Sequence, residues 1–474
     1  MLFNSIEYIF LFLPITLILY YILLKKKLVL ASKILLIFSS LFFYSYLDVK
    51  YIPILLSSIL VNYFFGNYLI RKKSKIAFTI IILFNISLLG YFKYYNFFLD
   101  NIALFYPNLF DNSVIIILPL AISFFTFQQI AYIADCYYGK LKDQDFINYA
   151  LFVSFFPQLI AGPIVHHGQM IPQFYGLRTK IINYKNITLG LFIFSVGLFK
   201  KVVIADYLSE IVNFSYQNYQ DLSFFDSWKT SLSYTFQLYF DFSGYTDMAI
   251  GAALMFNIKL PFNFNSPYKA INIADFWNRW HMTLSKFLKD YIYIPLGGNR
   301  VGNIKIYRNL MIVFLISGFW HGAGWTFVFW GFLHGLAICI HKFWQKFDIK
   351  INYLLAWFLT FNFINISWIF FRSDNFMQAI VILEKMFFLS GDNFGIYDHY
   401  LTFMQFIRFN RIEYLILILS LIALYYIVPI ITKDAEKLMK IFKTNRKFYF
   451  ITLILLLVPL LSFHQTGEFL YFNF

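Results

Sequence analysis

Apolar residues run along this chain in blocks of about twenty, too long for strands and long enough for helices that cross a bilayer. Blocks of spanning length fall at 6–24, 28–47, 51–70, 76–98, 114–136, 186–205, 229–256, 309–341, 351–371, 412–430 and 448–465. The block 309–341 has room for two passes or a hairpin. The stretch 146–165 is apolar but broken by Pro157, Gly162 and Pro163. That pattern predicts a re-entrant segment, which needs protein or a wet cavity to satisfy its backbone. Lys25 to Lys27 and the group Arg71, Lys72, Lys73 and Lys75 mark the first and third connections as cytoplasmic. So do the many Lys and Arg of 257–308 and 433–447, whereas 99–113, 206–227 and the tail after Phe463 have none. Both termini therefore come out extracytoplasmic, with an even number of spans, ten or twelve. The first block carries Glu7, with no basic residue before it, and reads as a retained span rather than a cleaved signal. No internal repeat is visible, which weakens a secondary-transporter reading.

Composition agrees with this pattern. Of 474 residues 60% are hydrophobic and 13% charged, with 63 Phe and 36 Tyr. The expectation is an all-α polytopic membrane protein forming one integral domain over 1–474. The net charge of +15 suits loop lysines facing anionic membrane lipid better than it suits nucleic acid. Cys136 and Cys339 offer neither a disulfide framework nor metal-ligand spacing. The chain has no phosphate-binding glycine loop, nucleophile elbow or HExxH pair, so simple hydrolase and ATPase readings lose support.

The candidate chemistry lies in a few polar residues at membrane depth. His321 sits in Ser317-Gly318-Phe319-Trp320-His321-Gly322-Ala323-Gly324, and no Lys, Arg, Asp or Glu occurs between Arg308 and Lys342. It is either a proton carrier or a buried histidine satisfied by a hydrogen bond. The glycines at 318, 322 and 324 favour a cavity beside it. Residues 275–291 read as one amphipathic interfacial helix, with Phe276, Trp280, Leu284, Phe287 and Leu288 on its apolar face and His281 within the aromatic belt. Asp241 and Asp247 are two carboxylates in an apolar block. They form either a relay or a structural pair with Arg279, or with backbone donors where the helix opens at Gly244. His166-His167 ends a broken helix, and no second ligand cluster accompanies it.

Several of these runs resemble the membrane-bound O-acyltransferases. The runs are Phe319-Trp320-His321-Gly322, the block Phe276 to Arg300, Asp241 to Ala249, Leu159-Ile160-Ala161-Gly162-Pro163-Ile164 and Glu468 to Phe474. Within that family they are most similar to the bacterial alginate O-acetylation and peptidoglycan O-acetyltransferase A branch. The resemblance implies a ring of about 10–12 transmembrane helices around a central pore, with re-entrant and interfacial helices. It implies His321 as general base and His281 as a second catalytic histidine. Trp280, Arg279, Asn278, Trp320 and Arg300 become candidate substrate-binding residues. Acetyl-coenzyme A is expected as donor substrate, with no permanently bound cofactor and no metal.

The acceptor side is less determined. Peptidoglycan is the first expectation, since 30 Lys against 9 Arg and much Ile, Phe, Asn and Tyr suggest an AT-rich genome. Alginate-type exopolysaccharide and D-alanylation of teichoic acid stay open. No stretch is polar and long enough to form an extracytoplasmic glycan-binding domain, so a separate extracytoplasmic O-acetyltransferase is expected as partner. The expected location is the bacterial inner membrane. A non-catalytic transporter or flippase is the competing class.

Overall fold

The computed structural model describes residues 1–46, 48–106, 116–141, 145–160, 162–388, 432–461 and 469–470. Among them every regular element is helical. The elements in chain order are α1 (Leu13–Lys25), α2 (Val29–Ser45), α3 (Ile52–Lys72), α4 (Lys75–Leu89), α5 (Tyr95–Ala103), α6 (Ile122–Tyr137), α7 (Phe146–Ser154), α8 (Phe156–Leu159) and α9 (His167–Tyr175). They continue with α10 (Tyr184–Phe199), α11 (Asp206–Gln217), α12 (Phe224–Met255), α13 (Ile273–Trp277), α14 (Met282–Leu288), α15 (Asn303–His321), α16 (Trp325–Trp344), α17 (Tyr353–Arg372), α18 (Phe376–Phe387), α19 (Ala435–Ile441) and α20 (Arg446–Leu461).

Six described stretches are long and apolar enough to cross a membrane: Glu7–Lys25, Val49–Lys72, Lys75–Ala103, Tyr184–Gln217, Trp325–Phe347 and Tyr353–Arg372. The protein is an all-α, multi-pass membrane protein, as its pattern predicts. Large apolar side chains such as Ile18, Phe64 and Leu354 stand exposed on these helices, which lipid rather than water accommodates. The apolar block 412–430 lies outside the described residues.

α12 is the central element, 32 residues long and buried over most of its length. It lies against α10 along two glycine pairs seven residues apart. A Cβ on Gly190 would come 2.6 Å from Gly251 O, and one on Gly197 would come 2.5 Å from Gly244 O. Small residues bring the two backbones together, which is how membrane helices gain dispersion contact. α12 runs unbroken through Gly244, so the helix opening expected there does not occur; Gly244 serves packing instead.

The block 309–341 is a helical hairpin, α15 and α16, that turns at Gly322-Ala323-Gly324. Gly318 faces Gly331, and a Cβ on Gly318 would stand 2.3 Å from Phe327 O. A Cβ on Gly322 would stand 2.2 Å from the Phe327 ring. These two glycines therefore close the hairpin, contrary to the expectation that they leave room around His321.

The broken stretch 146–165 becomes α7 and the one-turn α8, each too short to span. Its backbone is satisfied by protein: Phe156 N donates to Ser40 Oγ at 3.0 Å and Ile164 N to Thr283 Oγ1 at 3.0 Å. This meets the condition for re-entrant chain.

Contacts sort the connections into two ends. At one end Trp325 Nε1 donates to Asn101 Oδ1, Thr326 Oγ1 to Ser373 O, Arg372 to Asn213 and Gln378 to Tyr216 O. At the other, Tyr21 OH donates to Met255 O, Asn257 to Ile181 O and Gln173 to Lys259 O. The Lys- and Arg-free connections gather at the first end and the basic ones at the second.

Candidate active site

His321 is the last residue of α15 and His281 lies before α14; both are buried, at 2% and 0% exposure. The indole of Trp320 touches both imidazoles, with ring centres 4.9 Å from His321 and 6.3 Å from His281. Trp330 and Phe371 complete the wall around His321, each 5.2 Å away. The Nε1 atoms of Trp320 and Trp330 are buried and have no acceptor among the described residues.

The single helix expected over 275–291 is two helices, α13 and α14, broken at Asn278–His281. The break has a local cause. Asn265 N donates to Arg279 O and Met282 N to Asn263 O, so the chain at 263–265 pairs with the interrupted segment. His281 takes a left-handed conformation there, with φ +43°. Its Nδ1 lies 3.3 Å from Asn263 Oδ1, which also accepts from Thr283 Oγ1 at 2.6 Å and Thr283 N at 3.4 Å. Asn263 Oδ1 can only accept, so Nδ1 of His281 carries the proton and the ring's lone pair lies on Nε2.

A third buried histidine stands behind Trp330. His334 Nδ1 accepts from Trp277 Nε1 at 3.2 Å, and its Nε2 donates to Ser367 Oγ at 3.0 Å, since that hydroxyl donates onward to Ile364 O. These bonds fix its tautomer and keep it neutral. Its ring centre is 4.6 Å from that of Trp330.

The carbonyls at the end of α15 are held by the chain at Gly90–Tyr94, a widened π-type turn between α4 and α5. Lys93 Nζ donates to Trp320 O, to His321 O at 3.3 Å and to Ser123 Oγ at 3.4 Å. Tyr94 OH donates to Phe319 O at 2.7 Å. Helix ends leave such carbonyls without partners, and π-type turns are frequent at functional sites.

The carboxylates find different partners from those expected. Asp247 pairs with Lys200 at 2.6 Å and Asp241 with Lys201 at 2.8 Å. Lys201 also meets Asp206 at 2.6 Å, and Asp241 accepts from Leu470 N at 2.9 Å. Both lysines open a second π-type turn, Lys200–Ala205. Arg279 instead bonds Asp275, one helical turn away on its own segment, at 2.7 Å, and Asn265 O on the paired chain at 3.3 Å. Buried carboxylates need a cation close by, and the lysines on α10's extension reach them where Arg279 does not.

The sequence of residues 77–377 matches the profile of the membrane-bound O-acyltransferase family. The chain belongs to the membrane-bound O-acyltransferase family. It is 51% identical over 425 residues to a peptidoglycan O-acetyltransferase of Helicobacter pylori, across 82% of this chain and 80% of that protein. It is 36% identical over 397 residues to a probable alginate O-acetylase AlgI of Pseudomonas aeruginosa, across 82% and 75%. A teichoic acid D-alanyltransferase of Bacillus subtilis is 28% identical over 273 residues, across 54% and 69%. This membrane-bound O-acyltransferase is thus an enzyme, and the transporter or flippase reading falls away.

The expected site residues of this O-acyltransferase divide into two groups. Trp280 and Trp320 are buried in the aromatic wall, and Trp280 reaches His321 through Trp368, 5.2 Å from it between ring centres, and then Trp330, 5.5 Å from Trp368. Asn278 and Arg300 are exposed and Arg279 half-buried; none of the three joins the aromatic wall, although Asn278 and Arg279 lie in the same break as His281, and Arg300 lies at the basic end of the molecule. His166 and His167 also belong to that end. His167 Nδ1 stands 3.7 Å from Asp135; burial pulls its imidazole down to about 4, with Asp135 opposing. It is neutral at ordinary pH, so this contact is no ion pair. Among the described residues no group of three His, Cys, Asp or Glu is placed to hold a metal.

Lys93, His334, Asn263, Lys200 and Lys201 escaped the sequence reading. A signal existed for the charged ones: Lys93, Lys200 and Lys201 are lysines inside blocks of spanning length. Asn263 carried none.

Proposed function

We propose that this enzyme moves an acetyl group from acetyl-coenzyme A on the cytoplasmic side to an extracytoplasmic acceptor for O-acetylation of a cell-envelope glycan, peptidoglycan first. The observation that carries the site is the convergence of His321 and His281 on the Trp320 ring. The acceptor class rests on the relative named a peptidoglycan O-acetyltransferase, at 51% identity. Alginate-type exopolysaccharide is the second reading, because the alginate relatives match the same share of the chain. D-alanylation has less support, with 54% of the chain matched.

In this reading His321 takes the proton of the acceptor hydroxyl as its oxygen attacks the thioester carbonyl carbon. The carbon–oxygen bond forms, the carbon–sulfur bond breaks, and the imidazolium returns the proton to the leaving thiolate. His281 orients the reacting groups through its own fixed tautomer. The exposed Lys286, Lys289 and Arg300 suit the phosphates of the donor, for which guanidinium forks are well shaped. With the histidines buried, the described conformation is a closed one, and substrates reach the site only after side chains move.

The acetyl group is carried onward to the glycan by a separate extracytoplasmic O-acetyltransferase. The protein resides in a bacterial inner membrane with both termini outside.

The test is thiol release from acetyl-coenzyme A by purified protein, wild type against His321→Ala. Loss of the base is expected to lower the rate by roughly two to four orders of magnitude at unchanged protein level. Near-normal glycan acetylation in cells carrying only the variant overturns the assignment.

A further inference from the structure

We infer that Lys93 is a positioning residue for the reaction: it terminates α15 at His321 and holds the catalytic peptide in place. The inference rests on the reading of His321 as base.

Three observations carry it. An ammonium group has three donors, and those of Lys93 meet three acceptors: Trp320 O, His321 O and Ser123 Oγ. Two of these are the last carbonyls of α15, and the third belongs to α6, so one side chain ties three elements at one point. The charge also has a reason to be there. Among the described residues no carboxylate pairs with Lys93. Its counter-charge is the negative end of the α15 dipole, where a cation is favoured. The ammonium further lies 5.6 Å from the centre of the Trp320 ring, within the range of cation–π attraction. Trp320 is the ring that both histidines touch.

The consequence is geometric. Without a donor at this place, α15 would lose what satisfies its final carbonyls, and the turn Gly322-Ala323-Gly324 would lose its fixed origin. The peptide of His321 would then shift relative to His281, which is held independently through Asn263. A misplacement on the order of 1 Å costs about 100-fold in rate. Donor binding, which involves the basic end of the molecule, would change little.

The experiment is a double-mutant cycle on acetyl-coenzyme A thiol release, using Lys93→Met, His321→Ala and both together. Methionine keeps the length and apolar volume of the side chain and removes the donors. We expect Lys93→Met to lower kcat by about 10- to 100-fold, with KM for acetyl-coenzyme A within about twofold. In the His321→Ala background, Lys93→Met is expected to cost nothing more, since Lys93 acts through His321. A wild-type kcat in Lys93→Met overturns this inference alone, as does a further loss in the His321→Ala background. A wild-type rate in His321→Ala removes the base reading first. Monodispersity and melting of each variant in detergent separate these results from unfolding, and Lys93→Arg, which keeps the charge and donors, is expected to recover part of kcat.

Discussion

His281 shows how much a single residue's backbone contributes to this site. Residues with a Cβ seldom adopt positive φ, even though Asn, Asp and His do so more often than the rest, and His281 is held at +43° between the paired segments 263–265 and 279–282. The strain predicts an order of stability. His281→Gly should melt higher than His281→Ala by about 1 kcal/mol, because glycine adopts this conformation freely and that outweighs its greater unfolded-state entropy. Both should be equally impaired in acetyl transfer, since both lack the imidazole. Equal melting temperatures in detergent would mean that the turn is not strained. At this scale the sequence was legible for identity and not for geometry. His321, His281 and Trp320 stood out as polar or aromatic residues in apolar surroundings. Their arrangement depends on Asn263, an unremarkable residue eighteen positions before His281, and nothing in local periodicity marks such a long-range acceptor.

Among the elements, the hairpin α15–α16 was the most readable. A charge-free run between Arg308 and Lys342 is too long for one pass, and Gly322-Ala323-Gly324 is where it turns. The role of its glycines was misread, because a small residue signals close approach without saying of what. Here the approaching body is the neighbouring helix. Gly318→Ala is accordingly expected to destabilise the hairpin by about 1–3 kcal/mol, since its Cβ would meet the Phe327 carbonyl, a backbone atom, at 2.3 Å. Gly90→Ala is the comparison, with nothing within 4 Å of the added methyl. Thermal melting of the two variants decides the point: a Gly318→Ala protein as stable as Gly90→Ala would show that the helices separate at no cost. The π-type turns at Gly90–Tyr94 and Lys200–Ala205 were hidden for a related reason. One extra residue per turn shifts the phase of the apolar face without breaking it, so the pattern continues while Lys93 and Lys200 rotate inward.

For the molecule as a whole, the Lys and Arg pattern predicted which connections share a side, and the contacts gather them accordingly. Asn101, Asn213 and Ser373 meet at one end, and Tyr21, Asn257 and Lys259 at the other. The positive-inside rule predicts the sign of the two ends, with the basic one cytoplasmic. Cysteines placed near Ser74 and near Phe474 should therefore differ in intact cells, the second reacting with an impermeant maleimide and the first only after permeabilisation. Equal labelling would overturn the topology and the even span count. The helical class of the molecule was legible because hydrophobic length alone sets it. The partnership of α10 with α12 was not, since glycines at 190, 197, 244 and 251 declare a packing face only once both helices are seen together.

The depth of His321 has a further consequence. It lies eighteen residues along α15 from Asn303, and its carbonyl meets Lys93, eighteen residues on from Lys75. Each path is about 27 Å by helical rise, so two separate rulers agree on the distance from the basic end. In the proposed reaction, a thioester approaching from that end has to project its acyl carbon that far while its charged head stays behind. On the function proposed above, donors would be selected by the reach of a slender arm, and an acyl group on a short carrier with the same charged head is expected to stop short of the imidazole whatever its intrinsic reactivity.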